Sequence, residues 1–171
     1  MNLIVAVDDN WAIGNRGELL AHVRMDLRNF AKLTTGKTVV YGSKTLATFP
    51  GGKVLKNRNN IIMSTRRDFA PEGAVVCDSV ESLLETLKAY NSDDVFVIGG
   101  ASIYKQLLPY CDTAYVTKFC KSYEFDAQIP NLDEDKSWSL VYRSCEWMSD
   151  ETLGDEPGLA FFFTKYRRKV L

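Results

Sequence analysis

The chain has 171 residues, of which 46% are hydrophobic and 25% charged, as expected of one globular domain spanning residues 1–171. A formal net charge of -1 gives no broad basic face for nucleic acid or an anionic membrane. No apolar stretch approaches the ~20 residues a bilayer needs and no basic leader precedes the first apolar run, so no membrane partner and a cytoplasmic location are expected.

Leu3-Ile4-Val5-Ala6-Val7 opens the chain as a strand buried on both faces. Residues 8–22 then read as a long loop. It carries Asn10, Gly14, Asn15 and Gly17 for its turns and an apolar side of Trp11, Ile13, Leu19 and Leu20. A loop of that length is either a lid over a ligand or a segment packed on the core. A helix is predicted over 24–35, with Val23, Leu27, Phe30, Ala31 and Thr34 on its apolar face. Asp26 borders that face. It either accepts N–H bonds at the helix start or sits as a carboxylate at the floor of an apolar pocket, where desolvation raises its pKa.

Thr38-Val39-Val40-Tyr41 is a second buried strand, ending at Gly42-Ser43-Lys44-Thr45. The spacing G-x-x-x-x-G-K-[ST] is absent, which excludes a nucleoside-triphosphatase loop. A helix start with a lysine and a threonine remains, read either as a phosphate contact or, for Lys44 alone, as a solvated surface lysine. Arg58-Asn59-Asn60-Ile61-Ile62-Met63-Ser64 enters a third buried strand, with Thr65-Arg66-Arg67 at its far end. Arg58 is either a fork for a carboxylate or a solvated side chain. Val75-Val76-Cys77 is a short strand, and Ser79 caps the helix behind it.

Val95-Phe96-Val97-Ile98-Gly99-Gly100-Ala101-Ser102-Ile103-Tyr104 is the stretch with most content. A buried strand breaks at two glycines and continues at helical spacing. Either the glycines let backbone approach a ligand and the free N–H groups of the new helix favour a phosphate or pyrophosphate, or this is a tight strand-to-helix turn with nothing bound. Residues 113–119 form another strand, and 126–130 read as irregular. Residues 137–147 are predicted as a half-solvated strand with Trp138, Leu140 and Tyr142 on one face. That strand and Leu159-Ala160-Phe161-Phe162-Phe163-Thr164-Lys165-Tyr166 form a C-terminal antiparallel hairpin closing the sheet. Cys77, Cys111, Cys120 and Cys145 are widely spaced, and with one histidine no metal site is expected. The fold class is α/β: a single domain with a mainly parallel central sheet flanked by helices. Gly42, Thr65 and Gly99 all fall at strand carboxyl ends, where ligands of such sheets gather.

The ordered set of Ile13-Gly14, Asp26-Leu27 with Phe30, Leu33-Thr34-Thr35-Gly36-Lys37, Gly42-Ser43-Lys44-Thr45, Asn57-Arg58-Asn59-Asn60-Ile61, residues 97–104 and Tyr115-Val116-Thr117 resembles dihydrofolate reductase over essentially the whole chain. The resemblance implies reduction of 7,8-dihydrofolate to tetrahydrofolate by hydride from NADPH, in one-carbon metabolism, by a monomer open to antifolate inhibitors. Asp26 falls on the family's acid, Thr117 on the threonine that supports it, and Leu19 near the tip of the lid formed by residues 10–20. Ile4, Val5 and Phe30 fall on the pterin pocket, Phe49 and Leu55 near the aminobenzoyl group, and Arg58 on the arginine for the glutamate α-carboxylate. Ala6, Ile13 and Gly14 fall on the nicotinamide side. Gly42, Lys44, Thr45, Ile98, Gly99, Gly100, Ala101, Ser102, Ile103 and Tyr104 fall along the cofactor phosphates and ribose, and Ser64, Thr65 and Arg66 around the adenosine.

Two departures stand out. Leu20-Ala21-His22 occupies the place of a common Pro-Trp pair, with His22 expected in solvent. Ser43 replaces a common basic residue at the 2′-phosphate contact, leaving two alternatives: compensation by Arg66, Arg67 or Lys44, or tolerance of NADH. Reduction of a pterin or of a riboflavin-precursor pyrimidine, and a catalytically silent folate- or nucleotide-binding module, are the competing readings. The Asp26, Thr117 and Arg58 set favours folate.

Overall fold

Apolar runs and amphipathic stretches alternate along the chain, and strands and helices alternate with them. The computed structural model describes residues 1–170. In chain order it contains β1 (Asn2–Val7), β2 (Ala12–Asn15), β3 (Glu18–Leu19), α1 (Arg24–Thr34), β4 (Thr38–Gly42), α2 (Ser43–Leu46), β5 (Asn59–Met63), β6 (Ala74–Cys77), α3 (Val80–Leu87), β7 (Val95–Gly99), α4 (Ala101–Leu107), β8 (Thr113–Phe119), β9 (Ala127–Gln128), β10 (Trp138–Arg143), β11 (Trp147–Met148) and β12 (Ala160–Arg168). The chain forms two compact units: Met1–Leu3 with Leu33–Cys111, and Ile4–Lys32 with residues 112–170.

The first unit is a parallel sheet. The start of β1 pairs with β7, β7 with β4, β4 with β5 and β5 with β6. Val39, Val40, Ile61, Ile62, Val95 and Val97 are buried, as strands covered on both faces require. Helix α3 starts at Ser79, whose hydroxyl accepts the Ser82 N–H at 3.1 Å, and buries Leu83 and Leu87. Because β4, β5 and β7 are parallel, their carboxyl ends share one edge, and α2 and α4 begin there.

The second unit is antiparallel. β12 pairs with β8 on one side and with β10 and β11 on the other. β1 also neighbours β8. Val23, Phe119, Leu159 and Phe161 form a core cluster against which Ala6, Ala21, Met25, Tyr123 and Phe163 pack.

Several expectations need correction. Residues 8–22 are not one irregular loop: β2 and β3 form a hairpin there, and β2 also pairs with β9. The segment at 126–130, expected to be irregular, supplies β9. Strands of two to four residues carry too few alternations to be seen in a pattern. The strand over 137–147 is two strands, and a register shift between Leu140 and Tyr142 breaks the shared face. Trp138 is buried, while Leu140 and Tyr142 are exposed. The expected C-terminal antiparallel pair does close the sheet, with β10 as the edge strand and β12 one place in. The run Ala160-Phe161-Phe162-Phe163 is apolar on successive residues, the mark of an interior strand, whereas β10 is the solvated edge.

Candidate functional site

In the second unit, α1 begins with its first N–H already satisfied: the Asp155 carboxylate accepts Arg24 N–H at 2.9 Å. The capping role left open for Asp26 is therefore filled by a residue far along the chain. Asp26 instead accepts the Thr117 hydroxyl at 2.6 Å from β8. Thr117 is buried, so this bond has little competition from water. Burial pushes the Asp26 carboxyl up from 3.8 to about 6, and the bond from Thr117 only partly opposes it. This is a carboxyl that exchanges protons near neutral pH.

The surroundings are apolar. Ile4 and Val5 are buried in β1, and Phe30 is part-buried one turn beyond Asp26. Leu27, expected on the buried face of α1, is 43% exposed. Val23 and Thr34 are the residues of that face that the fold covers, so an apolar strip next to Asp26 is left open. In the hairpin, Ile13 is part-exposed and Leu19 is exposed. Gly14 is demanded by close approach: a Cβ there would lie 2.8 Å from the Glu18 carbonyl oxygen. Ala6 packs on the core cluster, as does Ala21, and His22 faces solvent as expected.

In the first unit, the carboxyl edge of β4, β5 and β7 gathers most of the proposed phosphate contacts. Lys44, Ser64, Thr65, Arg66 and Ile103 line one cavity of about 560 Å³. Gly42 packs on Ile103, and Gly100 faces the Thr45 hydroxyl. Gly99 has φ +126°, and a Cβ there would meet the Tyr104 ring at 3.4 Å. The Gly99–Gly100 peptide is cis. Tyr104 is buried against this turn, Ile98 is part-buried, and Ser102 is exposed with its hydroxyl accepting a Gln106 amide N–H at 3.0 Å. Helix α4 starts at Gly100 without any side-chain cap, so the first N–H groups from Ala101 onward lack a capping acceptor. Two cations and uncapped N–H groups suit the phosphates of a dinucleotide.

The same unit holds the remaining predicted residues. Arg58 donates from Nε and Nη2 to the Thr34 hydroxyl oxygen, at 3.3 and 3.1 Å, and from Nη1 to the Lys56 carbonyl at 2.8 Å. Phe49 meets Tyr41 edge-on, with centroids 5.0 Å apart. Leu55 is held at both ends by Asn60, which accepts its N–H at 3.0 Å and donates to its carbonyl at 2.8 Å.

The sequence reading named Ile4, Val5, Asp26, Phe30 and Thr117 in one unit and Phe49, Leu55 and Arg58 in the other. It missed the supporting groups: Thr34 under Arg58, Asn60 behind Leu55, Asp155 ahead of α1, and Asp78 and Ser79 in the cavity wall. Only Ser79 carried a signal of its own, as a helix cap.

Known proteins share this chain's sequence pattern and fold. The family model described as dihydrofolate reductase matches residues 1–168. A dihydrofolate reductase of Bacillus subtilis (strain 168) is 36% identical over 82% of this chain and 81% of its own. Dihydrofolate reductase HdrB of Haloferax volcanii is 32% identical over 98% of this chain and 82% of its own. Among solved structures, dihydrofolate reductase from Enterococcus faecalis, complexed with NADP(H) and RAB-propyl, superposes with a TM-score of 0.85 at 31% identity, covering 99% of this chain and 96% of that one. A match of this extent, by pattern, by sequence and by fold, means that the chain belongs to the dihydrofolate reductase family.

Proposed function

We propose that this protein, acting as a single domain, reduces 7,8-dihydrofolate to 5,6,7,8-tetrahydrofolate with NADPH. The observation that carries this reading is the Asp26–Thr117 pair: a carboxyl with a pKa of about 6 beside an uncovered apolar strip. NADPH, when bound, supplies the hydride; the chain binds, aligns and manages the proton. Hydride goes to the carbon of an imine, and the imine nitrogen must be protonated for that carbon to accept it. Asp26 holds the amino-pyrimidine edge of the pterin and sustains that protonation. Thr117 fixes the carboxyl's rotamer. Ile4, Val5 and Phe30 give the flat ring an apolar surround, and Phe49 and Leu55 do so for the aminobenzoyl group. Arg58 has N–H groups left for the glutamate α-carboxylate after Thr34 and Lys56 have taken theirs.

Backbone groups of Ala6, Ile13 and Gly14 take the nicotinamide carboxamide. Lys44, Thr45, Ala101, Ser102 and Ile103, with the glycines at 42, 99 and 100 and with Ile98 and Tyr104 shaping the turn, take the phosphates. Ser64, Thr65 and Arg66 take the adenosine end. Leu19 rides on the hairpin that serves as the lid. Antifolates compete at Asp26. No helix among the described residues is long and apolar enough to cross a membrane; the same reading has the enzyme working as a cytoplasmic monomer without nucleic acid or membrane partners.

The test follows NADPH consumption by absorbance, with and without dihydrofolate, across pH. The wild-type hydride step should fall progressively as pH rises above about 6, as the proton leaves Asp26. Asp26→Asn should lose most turnover at neutral pH and recover part of it at low pH. Equal rates for the two proteins at every pH would remove Asp26 from the mechanism.

A further inference from the structure

The cavity at the carboxyl edge of the first unit holds a charge that works against its apparent purpose. Its wall carries Lys44 and Arg66, and also Asp78, which lies immediately before the cap of α3. Asp78 is exposed, and its carboxylate makes no hydrogen bond or ion pair with the described residues. It therefore neutralises neither cation by contact. Among the described residues, the Arg66 guanidinium is engaged by stacking on Phe69, 4.4 Å from the ring centroid. The residue after Gly42, where a further cation would complete an anion site, is Ser43, and it too lines the cavity. Two cations and one anion thus face any ligand there. A cavity shaped solely for a dianionic phosphate would hold cations and neutral donors.

We infer that Asp78 is a specificity-determining residue that opposes the 2′-phosphate of NADPH and accepts the free ribose diol of NADH. The inference rests on the proposed placement of the cofactor's adenosine end in this cavity. The chemistry is two-sided. A carboxylate repels a 2′-phosphate across a few ångströms of partly solvated space. The same carboxylate accepts hydrogen bonds from a 2′-hydroxyl, the way an acidic residue selects the unphosphorylated dinucleotide in other folds. Lys44 and Arg66 hold NADPH in place, and Asp78 limits its advantage over NADH.

The experiment measures dissociation constants of NADPH and NADH by titration calorimetry on the full chain at low and at high ionic strength. The proteins are wild type, Asp78→Asn, Asp78→Ala and Arg66→Ala, each checked for an unchanged circular-dichroism melt. Both Asp78 variants should bind NADPH about threefold to tenfold more tightly at low salt, with the gain shrinking as salt screens the charge. Asp78→Ala should also bind NADH more weakly, because the diol loses its acceptor. Arg66→Ala should weaken NADPH more than NADH. If Arg66→Ala behaves so while both Asp78 variants keep the wild-type ratio of the two constants, the inference fails and the cofactor placement stands. If none of the three variants alters either constant while dihydrofolate-dependent turnover persists, the adenosine end lies elsewhere, and the inference fails with that placement.

Discussion

Asp26 is held in a state that costs the fold something. Its ordinary pKa of 3.8 rises to about 6 because burial disfavours the charged form. Between those values the folded chain keeps a proton that the unfolded chain has released. Stability therefore falls as pH rises through that window and levels off above it, by about 2 kcal/mol in all, allowing for the residue's partial access to water. Asp26→Asn should be more stable than wild type at pH 7.5 by about that amount in urea unfolding, with the advantage gone near pH 4. The variant that loses activity should thus gain stability. A second residue-scale prediction concerns Thr34, fully buried beneath the Arg58 fork. Thr34→Val removes the acceptor of two guanidinium N–H groups. It should raise KM for dihydrofolate roughly tenfold with little change in kcat, and leave a pterin without the glutamate unaffected. Thr34→Ser should restore KM. A loss shared equally by both substrates would argue for a general structural defect instead.

At the scale of elements, the connection from β1 to β2 depends on one buried carboxylate. Asp8 accepts the N–H groups of Asn10 and Ala12 at 2.8 and 3.0 Å, and that of Tyr123 at 2.9 Å. It thereby fixes the turn in which Trp11 adopts φ +57°, and ties the root of the hairpin to a distant loop. Asp8→Ala strands three backbone donors and should cost about 3 kcal/mol in unfolding experiments, with faster amide exchange across β2 and β3. Long elements were legible from sequence because their periodicity repeats. The boundaries of β8 were readable from an unbroken strand pattern, and α1 differs from expectation by one residue at its end. The hairpin and β9 were not, because two- and four-residue strands are specified by partners and by tethers such as Asp8, not by local pattern. In the site, Asp26 and Arg58 were legible from the residues as one of two alternatives each, and Thr117 only through resemblance. Thr34, Asn60 and Asp155 act through contacts between residues 5 to 131 positions apart, which no spacing encodes.

For the molecule as a whole, alternation of strand and helix was enough to announce a parallel sheet, and β4, β5, β6 and β7 form one. Strand order in the antiparallel unit was not announced. An apolar run says that β12 is interior but does not name its neighbours. A ligand that binds only the folded chain raises its stability. NADPH at a hundredfold excess over its dissociation constant should add about 2.7 kcal/mol and raise Tm by about 5–10 °C. A Tm that ignores NADPH would contradict cofactor binding directly.

The division of the chain also sorts its natural light emitters. All three tryptophans, Trp11, Trp138 and Trp147, belong to the antiparallel unit. Indole emission therefore probes that unit directly and places no fluorophore in its companion. A tryptophan substituted for Phe69, beneath the Arg66 guanidinium, would give the parallel unit its own optical signal. With it, indole emission would sample both stretches of the polypeptide.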